Sequence, residues 1–224
     1  MPDAILSERE PVGGALQRVQ CKVSADVAAS HQKHGQYVEL KHGETKGYFV
    51  LASAPGSSTW DLVVKAGGAL ADRLRDLPLG TTLTTSLAQG PGFPFDEARG
   101  RPLVLVATGS GIAAMLSTIG ARIEGGEAER TYLLYGVRER QDVALEAELE
   151  SIRKSGIDIA ICLSREHTTE EGFYKGYVQT VATGRGWDLS GGLAFAAGVR
   201  EMVAGLRDAA PTLGLRAEDV RLNH

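Results

Sequence analysis

A chain of 224 residues, 43% hydrophobic and 23% charged, has the balance of a globular protein and the length for one large domain or two small ones. Its formal net charge of −4 excludes the basic footprint of a nucleic-acid binder and any broad attraction to an anionic membrane. The opening residues show no basic stretch followed by an apolar run, and no later run is long enough to span a bilayer, so a cytoplasmic protein is expected.

The first half reads as β. Val19, Cys21 and Val23 alternate with Arg18, Gln20 and Lys22, the period of a half-buried strand. Gln36–Leu40, Gly47–Ser53, Trp60–Lys65 and Thr81–Leu87 are further short strands, separated by turn clusters such as Ala54-Pro-Gly-Ser-Ser58. A short helix is predicted over Ala69–Leu77. Short strands at even spacing predict a small antiparallel β-barrel. The turn-rich stretch from Gly90 to Pro102 reads as a linker, which gives domains 1–100 and 101–224.

The second half changes rhythm. Leu103–Ala107 is an unbroken apolar run, as in a strand buried on both faces of a parallel sheet. It passes through Thr108-Gly-Ser-Gly111 into an apolar stretch with helical spacing. Such a corner suits a phosphate group, because glycines admit close approach and helix N–H groups face the anion. Taken alone, the same turn fits a tight strand-to-helix connection equally well. Strand-like runs at 131–136, 157–163 and 193–197 alternate with helical patterns at about 112–122, 142–154 and 199–209, so a C-terminal α/β domain on a parallel sheet is expected. Cys21 and Cys162 lie far apart in strand-like runs and read as buried thiols in a reducing compartment.

Four motifs follow in order: Val106-Ala-Thr-Gly-Ser-Gly-Ile-Ala-Ala114; Leu134-Tyr-Gly-Val-Arg138 with Asp142; Leu163-Ser-Arg-Glu166 with Lys175-Gly-Tyr-Val-Gln179; and Gly198-Val-Arg-Glu-Met202. Behind a small barrel, they resemble the ferredoxin–NADP reductase superfamily of flavoproteins, over nearly all of the chain after residue 15. The resemblance implies a pyridine nucleotide, NADP, along Thr108, Gly109, Ser110, Gly111, Ile112, Arg138, Ala197 and Gly198. Ser164 and Arg165 would take the adenosine 2′-phosphate, Lys175 would add charge and Tyr177 would stack on adenine. The plainer reading makes Arg165 a solvated surface arginine and Tyr177 a core aromatic.

The resemblance also implies FAD between the lobes, against Phe49, Val50, Leu51, Ala52 and Ser53, the Gly68-Ala69-Leu70-Ala71 turn, and His224. Here the chain departs from the family. Gly47 stands for the pyrophosphate arginine, Phe49 for a tyrosine, Val50 for a serine and Ala71 for a hydroxyl residue. Ala197 stands for the cysteine at the last strand, and His224, the candidate catalytic residue, stands for the terminal aromatic. Similarly relaxed motifs occur in a branch of short oxidoreductase-like proteins of this superfamily. The implied activity is flavin-dependent NAD(P)H oxidation, passing electrons from NADPH through FAD to an unidentified acceptor, a protein or a small molecule. The altered flavin motifs support a second reading, a nucleotide- or partner-binding protein that kept the fold without the chemistry. His31 and His34 lack the further ligands a metal needs, cysteine pairs for an iron–sulfur centre are missing, and Ser110 lacks the elbow of a hydrolase.

Overall fold

Alternating apolar and polar residues give the first half six strands in a computed structural model, which describes residues 2–223. They are β1 (Asp3–Gly13), β2 (Leu16–Val23), β3 (Tyr37–His42), β4 (Thr45–Val50), β5 (Thr59–Lys65) and β6 (Thr82–Thr85), with short helices α1 (Ala25–Ser30) and α2 (Ala69–Arg73). The sheet order is β4-β3-β6-β1-β2-β5, and every pairing is antiparallel. Just past β4, Ala52 N–H donates to the Asp61 carbonyl of β5 at 2.7 Å, so the sheet curls towards closure as a barrel. Every second residue turns inward: Ala4 and Leu6, Val19 and Cys21, Val38 and Leu40, Trp60 and Leu62 are fully buried. Leu70 of α2 and Leu74 just past it join this core.

One strand is unforeseen and one expected helix is shorter. β1 is a strand the sequence pattern does not reveal, because Ser7-Glu8-Arg9-Glu10 breaks its apolar alternation. Its backbone pairing to both β2 and β6 makes it a strand. The helix expected over Ala69–Leu77 stops at Arg73 and continues as turns, with Leu77 N–H still reaching the Arg73 carbonyl at 3.1 Å.

The second half runs β7 (Leu103–Thr108), α3 (Ala113–Glu124), β8 (Thr131–Val137), α4 (Glu146–Lys154), β9 (Asp158–Leu163), β10 (Phe173–Lys175), α5 (Val178–Gly184), β11 (Leu193–Ala197), α6 (Arg200–Ala209) and β12 (Val220–Leu222). The order is β10-β9-β8-β7-β11-β12, parallel throughout. The chain steps outward from β7 to β10 and then crosses back to β11. That reversal beside β7 is where a doubly wound sheet opens a crevice at its strand carboxyl ends. Both faces are covered. Leu103 and Leu105 pack towards Met115 of α3 and Leu149 of α4, while Val104 and Val106 pack towards Val181 of α5 and Leu206 of α6.

The halves are joined by specific contacts. Arg122 of α3 is fully buried and donates to Thr131 Oγ1 (2.7 Å) and to the carbonyls of Ala98 (2.8 Å) and Arg101 (2.9 Å), which anchors the connecting stretch. The turn after β1 rests on the segment before α4: Leu145 N–H donates to the Val12 carbonyl at 2.6 Å. Gly14 there has φ +54, and a Cβ on it would lie 2.1 Å from the Asp142 carbonyl oxygen, so only glycine fits. Arg18 of β2 bridges Asp61 (3.2 Å) and Glu148 of α4.

Candidate functional site

The carboxyl ends of β7, β8, β9 and β11 open onto one cleft of about 1380 Å³, whose opposite wall is the barrel. A pocket for a single drug-sized ligand holds about 300–1,000 Å³, so this cleft has room for an extended ligand or for two.

Glycines let its floor come together. Past Thr108 the chain makes a short 3₁₀ turn, Gly109–Ile112, that leads into α3. A Cβ on Gly111 would lie 2.4 Å from the Ala197 carbonyl oxygen, and one on Gly198 would lie 2.2 Å from Thr108 Oγ1. Gly109 has φ +53 and open space before its Cα. Thr108 Oγ1 is buried yet has no hydrogen-bond partner among the described residues, so it is available to a ligand. No acidic residue lies in the first turn of α3, whose N–H groups begin at this floor.

Few charges line the cleft. Lys65 and Arg138 line it and have no ion pair among the described residues, whereas Lys46 is paired with Glu39 at 3.0 Å. Asp142 and Glu201 are its acids. Cys162 lies in the lining, but burial pushes its thiol up to about 12, so it is no nucleophile near neutrality. Among the described residues, nothing in the lining makes a nucleophile–base pair. The cleft is built to hold and align a ligand that brings its own chemistry.

The barrel wall is apolar where it faces the floor. Phe49 and Val50 end β4, and Gly68, Ala69, Leu70 and Ala71 form the start of α2. The Phe49 ring lies over Gly47, and a Cβ there would approach it to 2.8 Å. The ring therefore occupies the space in which an arginine at position 47 would begin. Gly67 N–H is taken by the Asp72 carboxylate at 2.8 Å.

Of the predicted site residues, Phe49, Val50, Gly68, Ala69, Leu70, Ala71, Thr108, Gly109, Ser110, Gly111, Arg138, Ser164, Tyr177, Ala197 and Gly198 line this one cleft. Tyr177 is 65% exposed at the start of α5, which rules out the core-aromatic reading. Others fall elsewhere. β4 ends at Val50, and the chain then turns into the barrel: Leu51 is fully buried, Ala52 pairs with Asp61, and Ser53 Oγ accepts the Asp61 N–H at 3.3 Å. Ile112 is fully buried in the core beneath α3. Arg165 faces a shallower basin beside the cleft, with Glu139, Arg140 and Glu166, and Lys175 is exposed at the end of β10 outside the lining. His224 lies outside the described residues.

Sequence reasoning missed Tyr48. It is 59% exposed, edge-on to Tyr37 with ring centroids 6.1 Å apart, and its ring lies 5.6 Å from Lys46 Nζ. All three line the cleft mouth. Alternation along β4 could have found it, since an apolar residue out of phase with Phe49 must face away from the barrel core. His31 and His34 are buried, and burial lowers both to about 4. Among the described residues no group of three or more His, Cys, Asp or Glu side chains is placed to hold a metal ion, and no helix is long and apolar enough to cross a membrane.

Residues 105–208 match the family model of the oxidoreductase NAD-binding domain. A ferredoxin–NADP reductase B of Sorangium cellulosum is 36% identical over 166 residues, covering 69% of this chain and 66% of that one. A sulfhydrogenase 2 subunit gamma of Pyrococcus furiosus is 25% identical over 182 residues, covering 74% of this chain and 62% of that one. The chain therefore spans just under two thirds of the length of these two curated relatives. Among solved structures, a ferredoxin NADP+ reductase from Neisseria gonorrhoeae with bound FAD and NADP superposes with TM-score 0.78 at 16% identity, covering 98% of this chain and 96% of that one. A cytochrome P450 reductase from Amycolatopsis gives 0.82 at 21% identity over 99% of this chain and 69% of that one. These superpositions show the shared fold, an antiparallel barrel followed by a doubly wound parallel domain.

Proposed function

We propose that this chain, which belongs to the ferredoxin–NADP reductase superfamily, is a flavin-dependent NAD(P)H oxidoreductase. The observation that carries the reading is the single cleft in which the switch-point floor faces the barrel wall, with room for a flavin and a nicotinamide together. The domains are assigned as 1–100 for the flavin side and 101–224 for the nucleotide side. Buried, free Cys21 and Cys162 support a reducing compartment, the cytoplasm.

The residues fit the two cofactors unequally. On the floor, the unpartnered Thr108 hydroxyl, the Gly109–Gly111 backbone and the α3 N–H groups suit the nucleotide pyrophosphate, with Arg138 as the nearby cation. Ser164, Arg165 and Lys175 at the ends of β9 and β10 would serve the 2′-phosphate end, and exposed Tyr177 offers a face for adenine. On the barrel wall, Phe49 and Val50 give a flat ring system an apolar shelf, and unpaired Lys65 supplies the positive charge for its phosphates. When bound, the flavin and nicotinamide supply the hydride chemistry. The chain's own residues then do three things. They align the two rings across the cleft, exclude water with the Phe49–Val50 shelf, and neutralise phosphate charge through Arg138 and Lys65. His224 remains the proposed cover of the flavin ring.

The barrel wall's poverty in side-chain donors favours a second reading, a nucleotide-binding protein without turnover. One experiment separates the two. The purified protein is scanned in the visible range before and after incubation with FAD and removal of the excess, and NADPH is then added anaerobically. Flavin bands that NADPH bleaches are the expected result. A colourless protein that retains no FAD, yet melts at higher temperature with NADPH, would establish the second reading. The electron acceptor is left open between a protein and a small molecule.

A further inference from the structure

The connection after β8 and the excursion after β9 are tied together around one residue, Arg140. Its backbone N–H donates to the Glu166 carboxylate at 2.6 Å. Its guanidinium donates to both carboxylate oxygens of Glu146 (2.8 and 2.7 Å) and to Glu170 (3.0 Å), and it lies 4.6 Å from the Phe173 ring. Beside this clasp the two strand ends are laced by backbone: Ser164 N–H donates to the Val137 carbonyl (3.1 Å) and Arg165 N–H to the Arg138 carbonyl (2.9 Å).

The clasp has an electrostatic consequence. Arg165 lines one basin with Glu139, Glu146 and Glu166, while Arg138, joined to it by that backbone bond, faces the cleft. Yet neither arginine has an ion pair among the described residues. The acids that share the basin with Arg165 are already engaged. Glu166 is held by the Arg140 amide, Glu146 and Glu170 by its guanidinium, and Glu139 accepts from the Gln141 side chain at 2.8 Å. A salt bridge between exposed groups contributes little to stability, so the worth of this network lies in where it puts the charges.

We propose that Arg140 and Glu166 are positioning residues for nucleotide selection. Arg140 engages carboxylates that share the basin with Arg165, Glu166 ties the turn that carries Arg165 to Arg140, and Arg165 stays free for a dianionic phosphate, the 2′-phosphate of an adenosine nucleotide. This rests on the nucleotide-site reading above and adds to it two residues that do not touch the ligand. Without the Arg140 guanidinium, Glu146 is released in the basin it shares with Arg165. Without the Glu166 carboxylate, the turn that presents Arg165 loses its one side-chain tie to the β8 end and keeps only the two backbone bonds.

The test is calorimetric titration with 2′,5′-ADP and with 5′-AMP, which differ only in the 2′-phosphate and need no flavin. The wild-type chain is expected to prefer 2′,5′-ADP by about tenfold or more, the worth of a charge-assisted contact. Arg140→Ala and Glu166→Ala are each expected to lose most of that preference, with AMP binding and melting temperature nearly unchanged. Glu166→Gln keeps an acceptor for the Arg140 N–H and is expected to retain it. If the wild type discriminates, Arg165→Ala abolishes discrimination and both alanine variants bind 2′,5′-ADP like wild type, the clasp is overturned while the site stands. Equal loss for both ligands also overturns it, as a general structural effect. A wild type that does not discriminate overturns the site reading, and the clasp with it.

Discussion

The two walls of the cleft hold ligands by different means. The floor relies on backbone and charge: glycine turns at Gly109, Gly111 and Gly198, an unpartnered Thr108 hydroxyl, and Arg138 at the end of β8. The barrel wall relies on shape: Phe49, Val50 and Leu70 are apolar, and Gly47 and Ala71 offer neither a charge nor a hydroxyl. A floor made of backbone has little freedom to drift in sequence, because any added atom meets another main chain. A wall made of side chains can exchange one contact for another and keep its shape.

The largest expected effect comes from adding one carbon to each wall. Alanine at Gly111 would put a Cβ 2.4 Å from a β11 carbonyl oxygen, so the two strand ends must separate. Overpacking of this kind costs about 1–3 kcal/mol, and where the binding-competent floor bears that cost it corresponds to about 5- to 150-fold in nucleotide affinity. Alanine at Gly68 would meet only the Ala71 Cβ at 3.5 Å, an ordinary contact, and its backbone is extended (φ −113°). We expect Gly111→Ala to lose NADPH binding in a thermal-shift titration, and Gly68→Ala to bind both NADPH and FAD as wild type does. Equal sensitivity at the two glycines would erase the contrast between the walls.

A smaller effect is expected from returning a donor to the barrel wall. Gly47→Arg must move the Phe49 ring, which packs against the barrel core, so the shift offsets part of the gain. A guanidinium at this place gives the flavin pyrophosphate a charge-assisted contact worth about 1.5–3 kcal/mol, or about one to two decades in affinity. FAD retained through gel filtration should rise accordingly. Unchanged retention would show that the phosphates lie elsewhere on the wall, nearer Lys65.

The floor was legible in the sequence for the reason it is intolerant of change. Strand, glycine turn and helix follow one another locally, so Thr108–Gly111, Arg138, Ser164 and Gly198 could be found by pattern and all line the cleft. Legibility failed where long-range pairing decides. Leu51–Ser53 continue an apolar run but turn into the barrel, because Ala52 and Ser53 bond to Asp61 of a different strand. Arg165 follows Ser164 by one residue, yet it faces the neighbouring basin, because adjacent residues at a strand end diverge. β1 was invisible because its partners β2 and β6, not its own alternation, make it a strand.

The smallest effect concerns acid, and it too falls on one half. Burial lowers His31 and His34 to about 4 from the usual 6.5, with the neighbouring histidine and Arg99 adding to the shift at His34 and Asp96 opposing it. The unfolded chain takes up protons there that the folded chain refuses, so stability falls as pH falls from about 6.5 towards 4. Asp61 acts in the opposite sense. Burial beside Glu148 and Glu10 raises it to about 6 from 3.8 despite Arg18, so its stabilising contribution is present below about pH 4 and is lost as pH rises through 6. Two histidines against one carboxylate leave a net loss on acidification. In the nucleotide half, burial sends Tyr135 and Cys162 up to about 12, far from this window. The melting temperature should therefore fall between pH 7 and pH 5, and the fall should shrink when His31→Gln and His34→Gln are combined. Asp61→Asn should raise the melting temperature at pH 7 and steepen the acid loss. A melting temperature that holds from pH 7 to 5 would mean that the histidine pocket opens to water before the barrel unfolds, and that the barrel half is no more acid-sensitive than the floor it faces.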